Sequence, residues 1–133
     1  MIIGMLNQKG GVGKTTLSIS IAHYLAIQNP YDDVLVVDAD PQQSALSWSE
    51  VRESKLPFTV IGLAKKSLHR DLPSISKNYK YVVIDTAPTQ AVSDSMLIAN
   101  SCDSVIYVVR ADSTSEKLIN NGLSRFLQVG HRL

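Results

Sequence analysis

The segment Asn7-Gln8-Lys9-Gly10-Gly11-Val12-Gly13-Lys14-Thr15-Thr16 constrains this chain most, because its glycines and lysines lie between two apolar elements. Before it runs Met1 to Leu6, a short apolar stretch that ends abruptly at polar residues, as a buried parallel strand does. After it, Leu17, Ile21 and Leu25 fall on one face of a helix that continues to Ala26. The predicted order is therefore strand, glycine loop, helix. Glycines at 10, 11 and 13 let backbone N–H groups turn inward, and a helix beginning near Lys14 adds its positive end. Such a cradle suits phosphate. Lys14 would reach the outer phosphates of a bound nucleotide, and the Thr15 hydroxyl would ligate Mg²⁺. Gly10, Gly11, Val12, Gly13, Lys14, Thr15 and Thr16 are thus the expected nucleotide-binding residues.

The rest of the chain supplies what a phosphate loop needs around it. The first helix should stop near Gln28-Asn29, before Pro30. Val34 to Asp38 lacks polar alternation and reads as a strand buried on both faces. At its C-terminal end, where open α/β sheets bind ligands, stands the acidic cluster Asp38-Ala39-Asp40-Pro41-Gln42-Gln43. Ser44 to Glu53 is a candidate helix carrying Leu46, Trp48 and Val51, with Trp48 expected in core or edge packing. Phe58 to Ile61 follows as a short strand, and Lys65, Lys66, His69 and Arg70 as a solvated basic cluster.

Tyr81 to Asp85 is a second buried strand ending in a carboxylate, the pattern of a Walker B motif. Downstream of a phosphate loop, that pattern assigns Asp85 to Mg²⁺, through a water, and makes Thr86-Ala87-Pro88 the start of a loop that senses the γ-phosphate. Ala91 to Ala99 suggests a helix and Ser104 to Val109 a further strand. Ser115 to Gln128 places Leu118, Ile119, Gly122, Leu123, Phe126 and Leu127 on one face of an amphipathic helix expected to pack on the sheet.

The common phosphate-loop pattern, G-x-x-x-x-G-K-[ST], wants glycine at position 8, where this chain has Gln8 followed by Lys9. A lysine ahead of the glycine pair resembles the deviant Walker A motif, K-G-G-x-G-K-[ST], of the ParA/MinD superfamily of ATPases. With the D-x-D-P-Q run at Asp38 to Gln42 and the segment Val82 to Pro88, the likeness is greatest to plasmid-type ParA partition ATPases and covers roughly the first 110 residues. The resemblance implies an α/β fold, a mostly parallel sheet flanked by helices on both faces, in a P-loop NTPase of the deviant Walker A class. It also implies ATP and Mg²⁺ as ligands, with Lys14 on phosphate and Thr15 and Asp85 serving the metal. Asp40 would position the attacking water, and Lys9 would cross to a partner's nucleotide, so that Lys9, Lys14 and Asp40 form the implied catalytic set. The implied partners are a second copy in an ATP-dependent homodimer, a ParB-like adaptor protein, and DNA bound non-specifically. Members of this group usually continue for several more strands and helices, so the chain, residues 1–133, reads as the N-terminal portion of one ParA-like ATPase domain.

Composition agrees with a single core. A chain of 133 residues suffices for one domain, and 44% hydrophobic with 19% charged residues is ordinary for a soluble α/β protein. A net charge of +1 predicts no strong overall pull toward nucleic acid or membrane. No apolar run approaches the ~20 residues of a membrane span, and no signal-peptide pattern precedes the glycine loop, so stable membrane insertion is not expected and the predicted location is cytoplasmic, on the nucleoid if DNA is bound. The single cysteine, Cys102, reads as a buried inert thiol and argues against the cluster-binding iron protein of nitrogenase. Two alternatives stand beside partition: a MinD-like or tyrosine-kinase-like membrane-associated ATPase, and a nucleotide-binding module without turnover. The last helix has few cations on its polar face, Lys117 and Arg125 beside Glu116, which disfavours a membrane anchor.

Overall fold

The computed structural model describes residues 1–7, 13–88 and 92–127. Its strands are β1 (Ile2–Leu6), β2 (Val34–Asp38), β3 (Thr59–Gly62), β4 (Tyr81–Asp85) and β5 (Ser104–Tyr107). Its helices are α1 (Lys14–Gln28), α2 (Ser44–Glu50), α3 (Leu68–Ser76), α4 (Val92–Asn100) and α5 (Glu116–Leu127). The strands form one parallel sheet in the order β3-β2-β4-β1-β5. Strand β4 inserts between β1 and β2, so α1 crosses over β4 on its way between them. The central strands are almost wholly buried, which is why they read as continuous apolar runs rather than alternating ones.

Two hydrophobic layers sandwich the sheet. Met5, Val36 and Val83 pack beneath Ala22 and Ala26 of α1, with Trp48 of α2 and Phe58 at the rim. Leu35, Val37, Val82 and Ile84 face the other way, against Leu68 and Leu72 of α3, Ala99 of α4 and Phe126 of α5. The expected helices on both faces are present. On α5 the buried residues are Gly122 and Phe126, whose ring meets Tyr107 at 5.7 Å, while Leu118 and Leu127 remain exposed. Trp48 is half-buried at the edge of its layer, with the Arg52 guanidinium 4.7 Å over its ring.

Several boundaries differ from the sequence expectation. Helix α1 turns Lys14, Ser18, Ala22 and Ala26 to the sheet, not the stripe Leu17, Ile21, Leu25; Leu17 is exposed. Small residues let the helix lie close on the flat β-branched surface, and the larger ones are displaced to its flank. Helix α2 ends at Glu50, leaving Val51 in solvent, and β3 is shifted one residue so that Phe58 plugs the core ahead of it. Strand β5 stops at Tyr107, although the Val108 N–H still donates to the Leu6 carbonyl at 2.9 Å. The expected helix ends at Ala91 and Gln128 lie outside the described residues.

Strand β1 carries glycine at position 4 because the chain after α4 passes directly over it. A Cβ there would sit 2.9 Å from the Cys102 sulfur. That sulfur donates to the Ile98 carbonyl at 3.1 Å, and burial with the Asp103 charge pushes the thiol up to about 12. Cys102 should therefore resist a disulfide-exchange reagent at about pH 8 in the native state and react once unfolded, as its inert reading requires. Because the folded state holds this proton longer, stability falls as pH rises from the ordinary thiol range, about 8.5, toward about 12. Native-state labelling as fast as in urea would contradict the packing described for β1 and α4.

Candidate functional site

The C-terminal ends of β1, β2 and β4 converge, and the polar residues there are the buried ones. Asn7, Lys14, Ser18, Asp38, Asp85 and Thr86 make up the buried polar set among the described residues. Parallel pairing sets Asp38 directly beside Asp85 at the ends of adjacent strands. Helix α1 begins at Lys14, and the residue before it, Gly13, holds φ +92°, a left-handed conformation that favours glycine. The chain thus enters the helix with Lys14 aimed down onto the strand ends.

Asp85 is the centre of this cluster. Its Oδ2 accepts from the Thr15 hydroxyl at 2.6 Å, and its Oδ1 accepts from the Ser18 hydroxyl at 3.3 Å. Burial raises its pKa, the neighbouring Asp38 adds to the rise, and Thr15, Lys14 and Ser18 offset part of it. Lys14 is shifted down by burial, while the charges of Asp85 and Asp40 act in the opposite direction. One lysine thus sits among Asp38, Asp40 and Asp85, and formally the described cluster holds more negative than positive charge. A polyphosphate would be repelled from such a place unless a cation came with it. Thr15 and Asp85 together offer a hydroxyl and a carboxylate, hard oxygen donors suited to Mg²⁺. Among the described residues no group of three or more His, Cys, Asp or Glu could hold a metal. One hydroxyl and one carboxylate are fewer donors than Mg²⁺ takes, so a Mg²⁺ held by Thr15 and Asp85 would keep waters.

Buried hydrogen bonds lace the loops around the cluster. The Asn7 side-chain amide donates to the Val108 carbonyl at 2.5 Å, and the Thr86 hydroxyl to the Met5 carbonyl at 2.6 Å. The Ala39 N–H donates to the Asp85 carbonyl at 2.9 Å. Asp40 is half-buried, and its Oδ1 accepts from the Gln42 N–H at 2.9 Å. Of the expected site residues, the fold brings Lys14, Thr15, Asp40 and Asp85 together, with Gly13 at the helix entrance and Thr16 exposed beside it. Lys9, Gly10, Gly11 and Val12 lie outside the described residues. The sequence alone does not single out Ser18 or Asn7 for this site, or the tie between Thr86 and β1. Ser18 was within reach of a sequence reading, since it stands one helical turn after Lys14 on the same face.

A family model described as "AAA domain" matches residues 1–64. The "Maintenance of carboxysome distribution protein A" of Gloeobacter kilaueensis is 36% identical over 107 residues, covering 79% of this chain and 47% of that protein. The "Chromosome-partitioning ATPase Soj" of Thermus thermophilus is 51% identical over 53 residues, 40% of this chain and 20% of that protein. These matches support a P-loop ATPase of the ParA/MinD superfamily. Among solved structures, the BceF tyrosine kinase domain superposes with a TM-score of 0.75 at 25% identity, over 99% of this chain and 65% of that one. The fold is accordingly the P-loop NTPase sheet expected for the superfamily. The chain spans about half the length, 47%, of its carboxysome-distribution relative. Among the described residues no helix is long and apolar enough to cross a membrane.

Proposed function

We propose that this chain is a ParA-like nucleotide switch, residues 1–133 being one P-loop domain that binds Mg-ATP, dimerises on it and hydrolyses it to release a cargo or DNA. The observation that carries this reading is the convergence of Lys14, Thr15, Asp40 and Asp85 at one end of the sheet. Lys14, Gly13 and the N-terminus of α1 bind the phosphates, with Lys9 to Val12 completing the cradle. Thr15 and Asp85 hold Mg²⁺, which when bound neutralises phosphate charge. Asp40 orients the water that attacks the γ-phosphate. Lys9 reaches the nucleotide of a second copy, which makes hydrolysis depend on dimerisation. DNA partition is favoured over other cargoes by the D-x-D-P-Q run at Asp38 to Gln42 and by the 51% identity to Soj over 53 residues, and a ParB-like adaptor is the matching stimulator. The 36% identity to a carboxysome-distribution protein makes carboxysomes the alternative cargo.

Phosphate release by the purified chain, measured with Mg²⁺ and with and without DNA, tests the reading directly. Asp40→Ala should leave nucleotide affinity within about threefold of wild type while turnover falls about 100-fold, because its partner is the water and not the ground-state phosphate. Wild-type turnover in that variant would remove Asp40 from the reaction. A second reading, the ATP-binding part of a bacterial tyrosine kinase, draws on the likeness to the BceF domain. Phosphotyrosine formed on incubation with ATP would favour it.

A further inference from the structure

Asp40 lies in a loop, so something must fix the loop. The structure points to Asp38. Its carboxylate is fully buried, and its two oxygens are divided between the two ends of the same hook. Oδ1 accepts from the Asp40 N–H at 3.1 Å, and Oδ2 accepts from the Leu46 N–H in the first turn of α2 at 3.0 Å. Between those points the chain doubles back. The Gln43 N–H donates to the Asp40 carbonyl at 2.9 Å, and Gln43 holds φ +53°, a left-handed conformation uncommon outside glycine. A backbone bent this way persists where its surroundings over-determine it, and one buried carboxylate gripping both ends is such a surrounding.

We propose that Asp38 is the positioning residue for Asp40. Building on the ATPase reading above, it gives Asp38 a task separate from holding metal or phosphate. The Asp40 carboxylate is placed in two stages: Asp38 fixes its backbone, and the Gln42 N–H, itself carried by the hook, fixes its Oδ1. The anchor is rigid because Asp38 ends a central strand, with its carbonyl accepting from the Leu63 N–H at 2.9 Å and the next N–H, that of Ala39, bound to the Asp85 carbonyl. Helix α2 is held by the same grip, and Ala45 is fully buried beneath it. Movement of α2 would therefore be felt at Asp40 through one side chain.

The isosteric change Asp38→Asn separates this role from simple packing. An acceptor-only carboxylate satisfies two N–H groups, whereas an asparagine amide turns an NH₂ toward one of them and leaves that donor unmet. Amide exchange followed by NMR in the 133-residue chain should show Asp40 or Leu46 opening about tenfold faster or more, with Ala39 and Leu63 still protected. In the same variant kcat should fall about tenfold or more with KM within about threefold of wild type. Where Asp38→Asn does not fold, Leu46→Pro in the first turn of α2 removes one donor while leaving the carboxylate, and exchange is then read at Asp40 alone, because proline carries no amide hydrogen. Unchanged exchange at Asp40 and Leu46 overturns the clamp, and a loosened hook with unchanged kcat overturns its positioning role. Absence of turnover in the wild type would instead contradict the ATPase reading, and the exchange measurement would still decide whether Asp38 holds the hook.

Discussion

Replacing Lys14 with alanine is expected to weaken Mg-ATP binding about 100-fold or more while leaving the far-ultraviolet circular dichroism unchanged. Lys14 is the cation that the fold places among Asp38, Asp40 and Asp85, buried at the start of α1. Losing about two charge-assisted hydrogen bonds to phosphate, at about 1.5 kcal/mol each, gives about 3 kcal/mol, or roughly two decades of affinity. The larger effect is electrostatic: without the ammonium, a polyanion must approach carboxylates with no described lysine between them. Calorimetry comparing the variant with wild type checks the result. Equal affinities would mean that the nucleotide sits elsewhere.

The second large effect concerns Lys9, which precedes the glycine pair. Lys9→Ala is expected to spare ATP binding by the monomer and to abolish both ATP-dependent dimerisation and turnover, because its proposed target is the nucleotide of the opposing copy. Light scattering with Mg²⁺ and ATP measures the first effect and phosphate release the second. A variant that dimerises as wild type does would remove the sandwich arrangement from the account. A variant that also loses monomer affinity would make Lys9 an ordinary part of its own cradle.

How far these residues could be read from sequence depended on whether their signal was local. The strand ends at Leu6, Asp38 and Asp85 were legible because a buried parallel strand is a continuous apolar run with an abrupt polar stop. The order of those strands was not legible. Nothing local to Tyr81–Asp85 says that β4 slides between β1 and β2, yet that insertion is what puts Asp85 beside Asp38. The face of α1 was misread for a related reason: on a flat sheet the intimate contact goes to Ser18, Ala22 and Ala26, and hydrophobicity alone favours the bulky flank. Chemistry tied to a motif, such as Thr15 with Asp85, was anticipated at the level of residue identity. The bonds of Asn7 to the Val108 carbonyl and of Thr86 to the Met5 carbonyl span distant parts of the chain and carry no such signature.

The central claim is that this end of the sheet binds a nucleoside triphosphate together with Mg²⁺. Calorimetric titration of a non-hydrolysable ATP analogue into the folded chain, with Mg²⁺ and with chelator, tests that claim most directly. The account predicts saturable binding of one nucleotide per chain, strongly weakened when Mg²⁺ is removed, since Asp38, Asp40 and Asp85 leave the described site with excess negative charge. No saturable binding by the folded chain, or binding indifferent to Mg²⁺, would contradict it.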